Sequence, residues 1–277
     1  MVHLIPFYKD ANFKIKEAPE IIDFVKKKRY DYHKYLECLT ETFYRYNPEG
    51  KLLLSTDMTT NPVNYQGEYY RQDTSDKTII QSKVYNETRL ICDDNGINEN
   101  IIMCGTDHLI NRKLDKIFLN QDFDIKIPIR KTARVNNAMI VVKKVTDNVK
   151  RFFEYRYERF ISDAGSDPHW DWYGDQRTYD KILREELNLL PVREPPQKFP
   201  YQLGSYEVRG CKVKLIEYGG NECGSFDIWP HHRRGFDNNT YFYDFKGKRK
   251  EYFFSSYEKE RRNYERQRKK EDIRVSP

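Results

Sequence analysis

IIMCGTD, residues 101–107, is the stretch whose reading decides the fold. Four apolar residues followed by a small one read as a short buried strand, and an acid, Asp107, stands at its C-terminal end. Open α/β sheets place their ligands outside those ends. Working outward, VHLIPFY at 2–8 is another apolar strand, ending in an aromatic pair. From Tyr30 to Tyr46, Tyr32, Tyr35, Leu36, Leu39 and Phe43 recur at helical spacing; Asn47, Pro48 and Gly50 then stop the helix before LLLSTD, a further strand. Phe123–Ile129 and Ala138–Val142 supply two more strands, and Thr146–Phe160 has amphipathic helix character. Gly67–Asn86 is polar and shows no period, whereas SDAGSDPHWDWYGDQ, with its Gly, Pro and Asp, predicts a structured loop around Asp163–Asp175. The class implied is α/β, a sheet sandwiched by helices.

Composition narrows the function classes. The chain has 277 residues, a third of them charged, yet 22 Tyr, 16 Phe and 3 Trp provide enough apolar surface for a packed core. The longest apolar run, Ala138–Val142, is far short of the ~20 residues that cross a bilayer, and Lys9 and Asp10 interrupt any signal-like segment, so a cytoplasmic protein is expected. Cys38, Cys92, Cys104, Cys211 and Cys223 contain no C-x-x-C pair and read as small buried hydrophobes in a reducing compartment.

The net charge of +6 is concentrated in one place: Lys246–Arg274 holds twelve Lys or Arg against six Asp or Glu, and the rest of the chain is balanced. Tyr257–Asp272 lacks Gly and Pro and predicts a charged helix. Its sequence leaves three uses open: a solvated helix end, a polyanion-binding appendage, or peripheral contact with an anionic membrane through Phe253, Phe254 and Tyr257. His231, His232, Arg233 and Arg234 form a second basic stretch, expected as a surface loop that can face an anion.

G-x-x-x-x-G-K-[ST], G-x-G-x-x-G, G-x-S-x-G and H-E-x-x-H are all absent, which removes the best-known nucleotide, hydrolase and zincin signals. What remains is Asp107 at a strand end and the glycine-bearing basic run DFKGKRK, from Asp244 to Lys250. Hard carboxylate oxygens suit a divalent ion on a diphosphate, Gly lets backbone approach phosphate oxygens, and Lys neutralises them.

Taken in order, IIMCGTDHLINRKLDKIF, DFDIKIPIR, VNNAMIVVKK, WYGDQRTYDKIL and FYDFKGKRK resemble the sugar-nucleotide glycosyltransferases of GT-A fold, in particular the family 8 type, over residues 2–190 and 241–250. The resemblance implies a single nucleotide-binding α/β/α sandwich with a mixed central sheet: a catalytic core at 1–190, a small C-terminal subdomain at 191–250 that completes the active site, and a basic helical tail at 251–277. It implies that Asp107, the surviving acid of a D-x-D whose first position is Gly105, and Asp244, where the family's H-x-x-G-x-x-K has His, ligate Mn²⁺ or Mg²⁺. Gly247 and Lys250 would contact the diphosphate, Phe7 or Tyr8 would lie near the base, and Asn137 would line the donor-sugar pocket, with Met139 in place of the family's Gly. Asp175 and Gln176 would stand beside the reacting sugar.

The function expected is transfer of a sugar from a nucleotide-diphosphate donor, a UDP-sugar favoured, to an acceptor hydroxyl. The basic tail and loop point towards a nucleic acid acceptor such as a hydroxymethylated DNA base, with a lipid-linked or surface glycan as the rival. A non-catalytic nucleic-acid-binding relative of the fold is the alternative of another class.

Overall fold

The computed structural model of the protein describes residues 1–10, 31–119, 121–130, 135–164, 170–187, 203–225, 240–245 and 247–275. Its strands are β1 (His3–Pro6), β2 (Lys51–Asp57), β3 (Glu68–Gln72), β4 (Glu99–Cys104), β5 (His108–Ile110), β6 (Ile125–Ile129), β7 (Met139–Lys144), β8 (Gly204–Val208), β9 (Cys211–Glu217), β10 (Gly224–Ser225) and β11 (Phe242–Asp244). The helices are α1 (Tyr32–Tyr46), α2 (Ile79–Cys92), α3 (Asp147–Asp163), α4 (Trp170–Glu186) and α5 (Phe253–Val275). Eight strands form one mixed sheet in the order β3-β2-β1-β4-β7-β6-β9-β8, in which β7 and β8 run against the other six.

Alternation along the strands divides the apolar residues between two cores, as a period of two requires. Leu4, Leu52, Ile102, Cys104 and Val141 face α1 through Leu39 and Phe43. Ile5, Leu53, Ile101, Met103, Ile140 and Val142 face the other way, onto Leu90, Ile91, Val149, Phe152, Phe153, Ile182 and Leu183 of α2, α3 and α4. Covered on both faces, the sheet is the mixed α/β sandwich expected from sequence.

Local chemistry fixes where the helices begin and turn. Asp31 caps α1 by accepting from the Lys34 amide at 3.0 Å, and Thr146 caps α3 by accepting from Val149 at 3.3 Å. Thr78 and Gln81 form a reciprocal capping box on α2. That helix escapes the apolar-period test because polar residues share its inward face: Ser82, Lys83, Asn86, Glu87 and Thr88 are buried beside Val84, Leu90 and Ile91. Asn86 Nδ2 donates to Ser55 Oγ at 3.2 Å and to the Thr56 carbonyl at 2.9 Å, so its buried amide nitrogen is satisfied. The β8–β9 hairpin turns on Arg209 and Gly210, both at positive φ (51° and 76°), as a two-residue turn of the I′ kind needs.

The expected loop at Asp163–Asp175 is a correction. Helix α3 reaches Asp163 and α4 begins at Trp170, so only the stretch between them is left, of which 165–169 lie outside the described residues. Burial of Tyr179, Ile182 and Leu183 holds α4 and outweighs the ~1 kcal/mol that Gly174 costs a helix interior. The strands within 191–250 divide between two sheets. β8 and β9 extend the main sheet beside β6, whereas β10 and β11 join β5 in a small sheet of order β10-β11-β5. The Pro-rich passage at 191–201 and the His231–Arg234 stretch lie outside the described residues.

Candidate functional site

The order of the main sheet reverses at β1: the chain passes first to β2 on one side, then returns to β4 on the other. Ligand crevices in open α/β sheets form outside the carboxyl ends of strands at such a switch. Pro6 and Cys104 end β1 and β4 in register, and the Phe7 amide donates to the Cys104 carbonyl at 2.9 Å. The segments that follow, Phe7–Tyr8 and Gly105–Asp107, therefore lie side by side. Phe7 is buried against β2 through a bridge to Ser55; Tyr8 is half-buried, donates to Asp10 at 2.6 Å and stacks on Tyr32 with centroids 6.2 Å apart.

Asp107 and Asp244 are 137 residues apart in sequence and meet because β5 pairs antiparallel with β11, with His108 opposite Asp244. The Phe245 amide also donates to the Asp107 carbonyl at 3.0 Å. His108 Nε2 lies 3.3 Å from Asp244 Oδ1, His108 Nδ1 is 3.0 Å from the Gly105 carbonyl, and Tyr218 Oη donates to Asp244 Oδ2. The Lys250 ammonium donates to Asp107 Oδ2 and lies 5.1 Å from the Tyr32 ring centroid, linking this corner to Tyr8. A Cβ on Gly105 would lie 2.8 Å from Asp107 Oδ1, so any larger residue there would have to displace that carboxylate.

Burial raises the cost of charge on Asp107, but the Lys250 ammonium and His108 outweigh it and hold the carboxyl below its ordinary range. For Lys250 the same burial disfavours the ammonium, and Asp107, Tyr32 and Asp244 more than reverse it, so the group stays charged. One ligand atom each from Asp107, His108 and Asp244 lie within 4.8 Å of one another. Two carboxylates and an imidazole, all buried, fit a divalent first-row cation, Mn²⁺ better than the oxygen-demanding Mg²⁺. Sequence reasoning missed His108 because it sought the third ligand at position 244; the signal available was the histidine adjoining Asp107.

A second constellation surrounds Asp175 on α4. Asn137, in the turn before β7, donates from Nδ2 to Asp175 Oδ2 at 2.9 Å, and the Gln176 amide donates to Asp175 Oδ1 at 2.8 Å. Lys83 Nζ on α2 is 3.0 Å from Asp175 Oδ2 and 3.0 Å from Glu87 Oε1. Arg156 of α3, wholly buried, places Nη1 2.7 Å from Glu87 Oε2 and its guanidinium 4.3 Å from the Tyr179 ring centroid. Lys83 is driven down by burial but held up, above its ordinary value, by Glu87 and Asp175. Lys83, Glu87 and Arg156 were not singled out from sequence. Gly247 opens the 3-10 turn Gly247–Tyr252 that carries Lys250.

Two cavities of about 400 Å³ are described, one between α1 and residues 63–67 and one at the β8–β9 edge; neither includes Asp107, Asp175 or Asp244. Among the described residues no helix is long and apolar enough to cross a membrane.

No protein-family model matches the chain, and a search of curated proteins finds no match. Solved structures similar to it include galactosyltransferase LgtC in complex with donor and acceptor sugar analogues (9% identity, covering 93% of this chain and 96% of that one, TM-score 0.46). Mouse xyloside xylosyltransferase 1 is similar at 10% identity, 88% and 96% coverage and a TM-score of 0.45. A nucleotide-diphospho-sugar transferase of Desulfovibrio desulfuricans G20 is similar at 11% identity, 78% and 79% coverage and a TM-score of 0.39.

Proposed function

We propose that the chain is a nucleotide-sugar glycosyltransferase: it binds a nucleoside-diphosphate sugar at the carboxyl ends of β1 and β4 and transfers the sugar to an acceptor hydroxyl. The observation that carries this reading is the meeting of Asp107, His108, Asp244 and Lys250 at the switch point of the sheet. Asp107, His108 and Asp244 would hold a divalent cation, Mn²⁺ or Mg²⁺, which supplies charge neutralisation for a departing diphosphate. Lys250, paired with Asp107 at this corner, would bring a point positive charge to the phosphate oxygens while Asp107 ligates. Electrostatic stabilisation of the leaving group is the largest contribution such a site makes.

Asn137 and Asp175 would grip the donor sugar. Lys83 and Asn137 fix the rotamer of Asp175, which would accept sugar hydroxyls, and Gln176 lies next to it for the anomeric carbon. Tyr8 and Tyr32 would give the base an aromatic face, and a UDP-sugar is the donor proposed. The acceptor in this reading is a hydroxyl on a nucleic acid, a hydroxymethylated base being the example, in keeping with the basic tail; a lipid-linked glycan is the competing acceptor.

Thermal unfolding with a panel of nucleoside-diphosphate sugars, with and without Mn²⁺, tests the donor assignment. A ligand at 100 times its Kd adds about 2.7 kcal/mol of stability, so at least one UDP-sugar should raise the midpoint by several degrees, and more with Mn²⁺ than without. A panel that leaves the midpoint unmoved in both conditions contradicts the assignment.

A further inference from the structure

Helix α5 begins three residues after Lys250 and is fixed to the body of the protein along one side only. Phe253, Ser256, Tyr257 and Glu260 are buried. Glu260 bridges Arg45 and the Tyr46 hydroxyl, Tyr257 donates to Glu41, and Tyr264 packs edge-on to Tyr46 at 5.4 Å. These contacts, all to α1, set the rotation of the helix about its axis. They aim the opposite side outward.

On that outward side Lys259, Arg262, Arg266 and Lys269 recur at steps of three, four and three residues, and all are exposed. They make a row about 15 Å long at the helical rise. Glu258 and Glu265 stand one turn from Arg262, at i−4 and i+3, along one border of the row, and Glu258 pairs with Arg261 at 2.8 Å. Among the exposed residues from 258 to 269 there is no apolar side chain.

We infer that this row of cations binds the phosphate backbone of one nucleic-acid strand, independently of base sequence. A single strand of a duplex carries a phosphate about every 3.4 Å along its axis, so about four fall within the length of the row. A narrow linear polyanion can follow the four cations past the two acids on their border, whereas a flat anionic bilayer would meet cations and acids together. The surface stands whether or not the chain transfers a sugar, and it makes the basic tail a positioning device next to Lys250.

Fluorescence anisotropy with a labelled 20-nucleotide DNA of mixed sequence, single-stranded and duplex, tests this on the full chain over a range of salt. Wild type should bind with log K falling against log[salt] at a slope of about −3, and scrambling the sequence should change affinity less than threefold. Replacing all four with Gln (Lys259→Gln, Arg262→Gln, Arg266→Gln, Lys269→Gln) should weaken binding by at least tenfold and flatten the slope by about 2 to 3, with the thermal midpoint unmoved. Arg261→Gln with Arg268→Gln, on the flank, should leave more than half of the affinity. An unchanged slope in the fourfold variant overturns the inference, as does an equal loss in the flank variant. Tighter binding to vesicles containing phosphatidylserine than to either DNA overturns it in favour of a membrane.

Discussion

Asp107→Asn is expected to reduce release of nucleoside diphosphate from a UDP-sugar by at least about 100-fold, the scale on which loss of one charge-stabilising group lowers turnover. The argument is electrostatic. Lys250 and His108 hold the Asp107 carboxyl below the ordinary range despite burial. An amide oxygen in its place neither ligates as strongly nor balances the cation. The same substitution also removes the carboxylate paired with the buried Lys250 ammonium, which costs up to about 3–5 kcal/mol. Stability and turnover must therefore be separated. Asp107→Asn combined with Lys250→Met removes both partners of the pair, so chemical denaturation should show most of the lost stability returned while turnover stays at the variant level. A double variant that is stable and turns over donor like wild type contradicts the role of Asp107.

Arg156→Met should be the most damaging substitution away from the cation corner, lowering unfolding free energy by about 3–5 kcal/mol. Lys83, Arg156, Glu87 and Asp175 make a buried set of two cations and two anions. Removing one cation leaves a net negative charge where burial forbids it, and the aromatic face of Tyr179 loses the guanidinium above it. Arg156→Met with Glu87→Gln restores neutrality and leaves Lys83 on Asp175; its denaturation midpoint should recover at least half of the loss. A single variant within 1 kcal/mol of wild type shows that the cluster is not held by charge balance.

How far these features were legible in the sequence follows from what each segment buries. The strands at 2–8, 52–57, 101–104, 125–129 and 138–142 are apolar on both faces because the sheet is covered twice, and runs of that kind announce themselves. Helix α1 shows an apolar stripe and a capped start. Helix α2 has a capped start but no clear apolar stripe: beside Val84, Leu90 and Ile91 its buried side carries Ser82, Lys83, Asn86, Glu87 and Thr88, residue types that read as surface until their partners are known. Arg156 was hidden in the same way, as one charge among several in an amphipathic helix. Trp170–Asp175 was taken for a loop because Pro168 and Gly174 bracket it, whereas burial of Tyr179, Ile182 and Leu183 decides in favour of helix.

At the candidate site the sequence supplied Asp107, Asp244 and Lys250 as separate motifs, and only the pairing of β5 with β11 brings them within reach of each other. His108 escapes the sequence reading because that reading places the third ligand at position 244, whereas the structure sets His108 at the start of β5, directly after Asp107. The basic tail was correctly a helix but was read only by its net charge. Its direction comes from Glu260 and Tyr257 gripping α1, contacts between a charged helix end and a distant element that no local pattern announces.

The assignment of Asp107, His108 and Asp244 to a cation held on a nucleoside diphosphate is tested most directly by the electron paramagnetic resonance signal of free Mn²⁺. With wild-type protein and UDP together, the signal should fall by one Mn²⁺ per chain beyond what UDP alone removes, and Asp244→Asn should abolish that extra fall. A wild-type chain that takes up no Mn²⁺ in the presence of UDP, or an Asp244→Asn variant that takes up as much as wild type, contradicts the account.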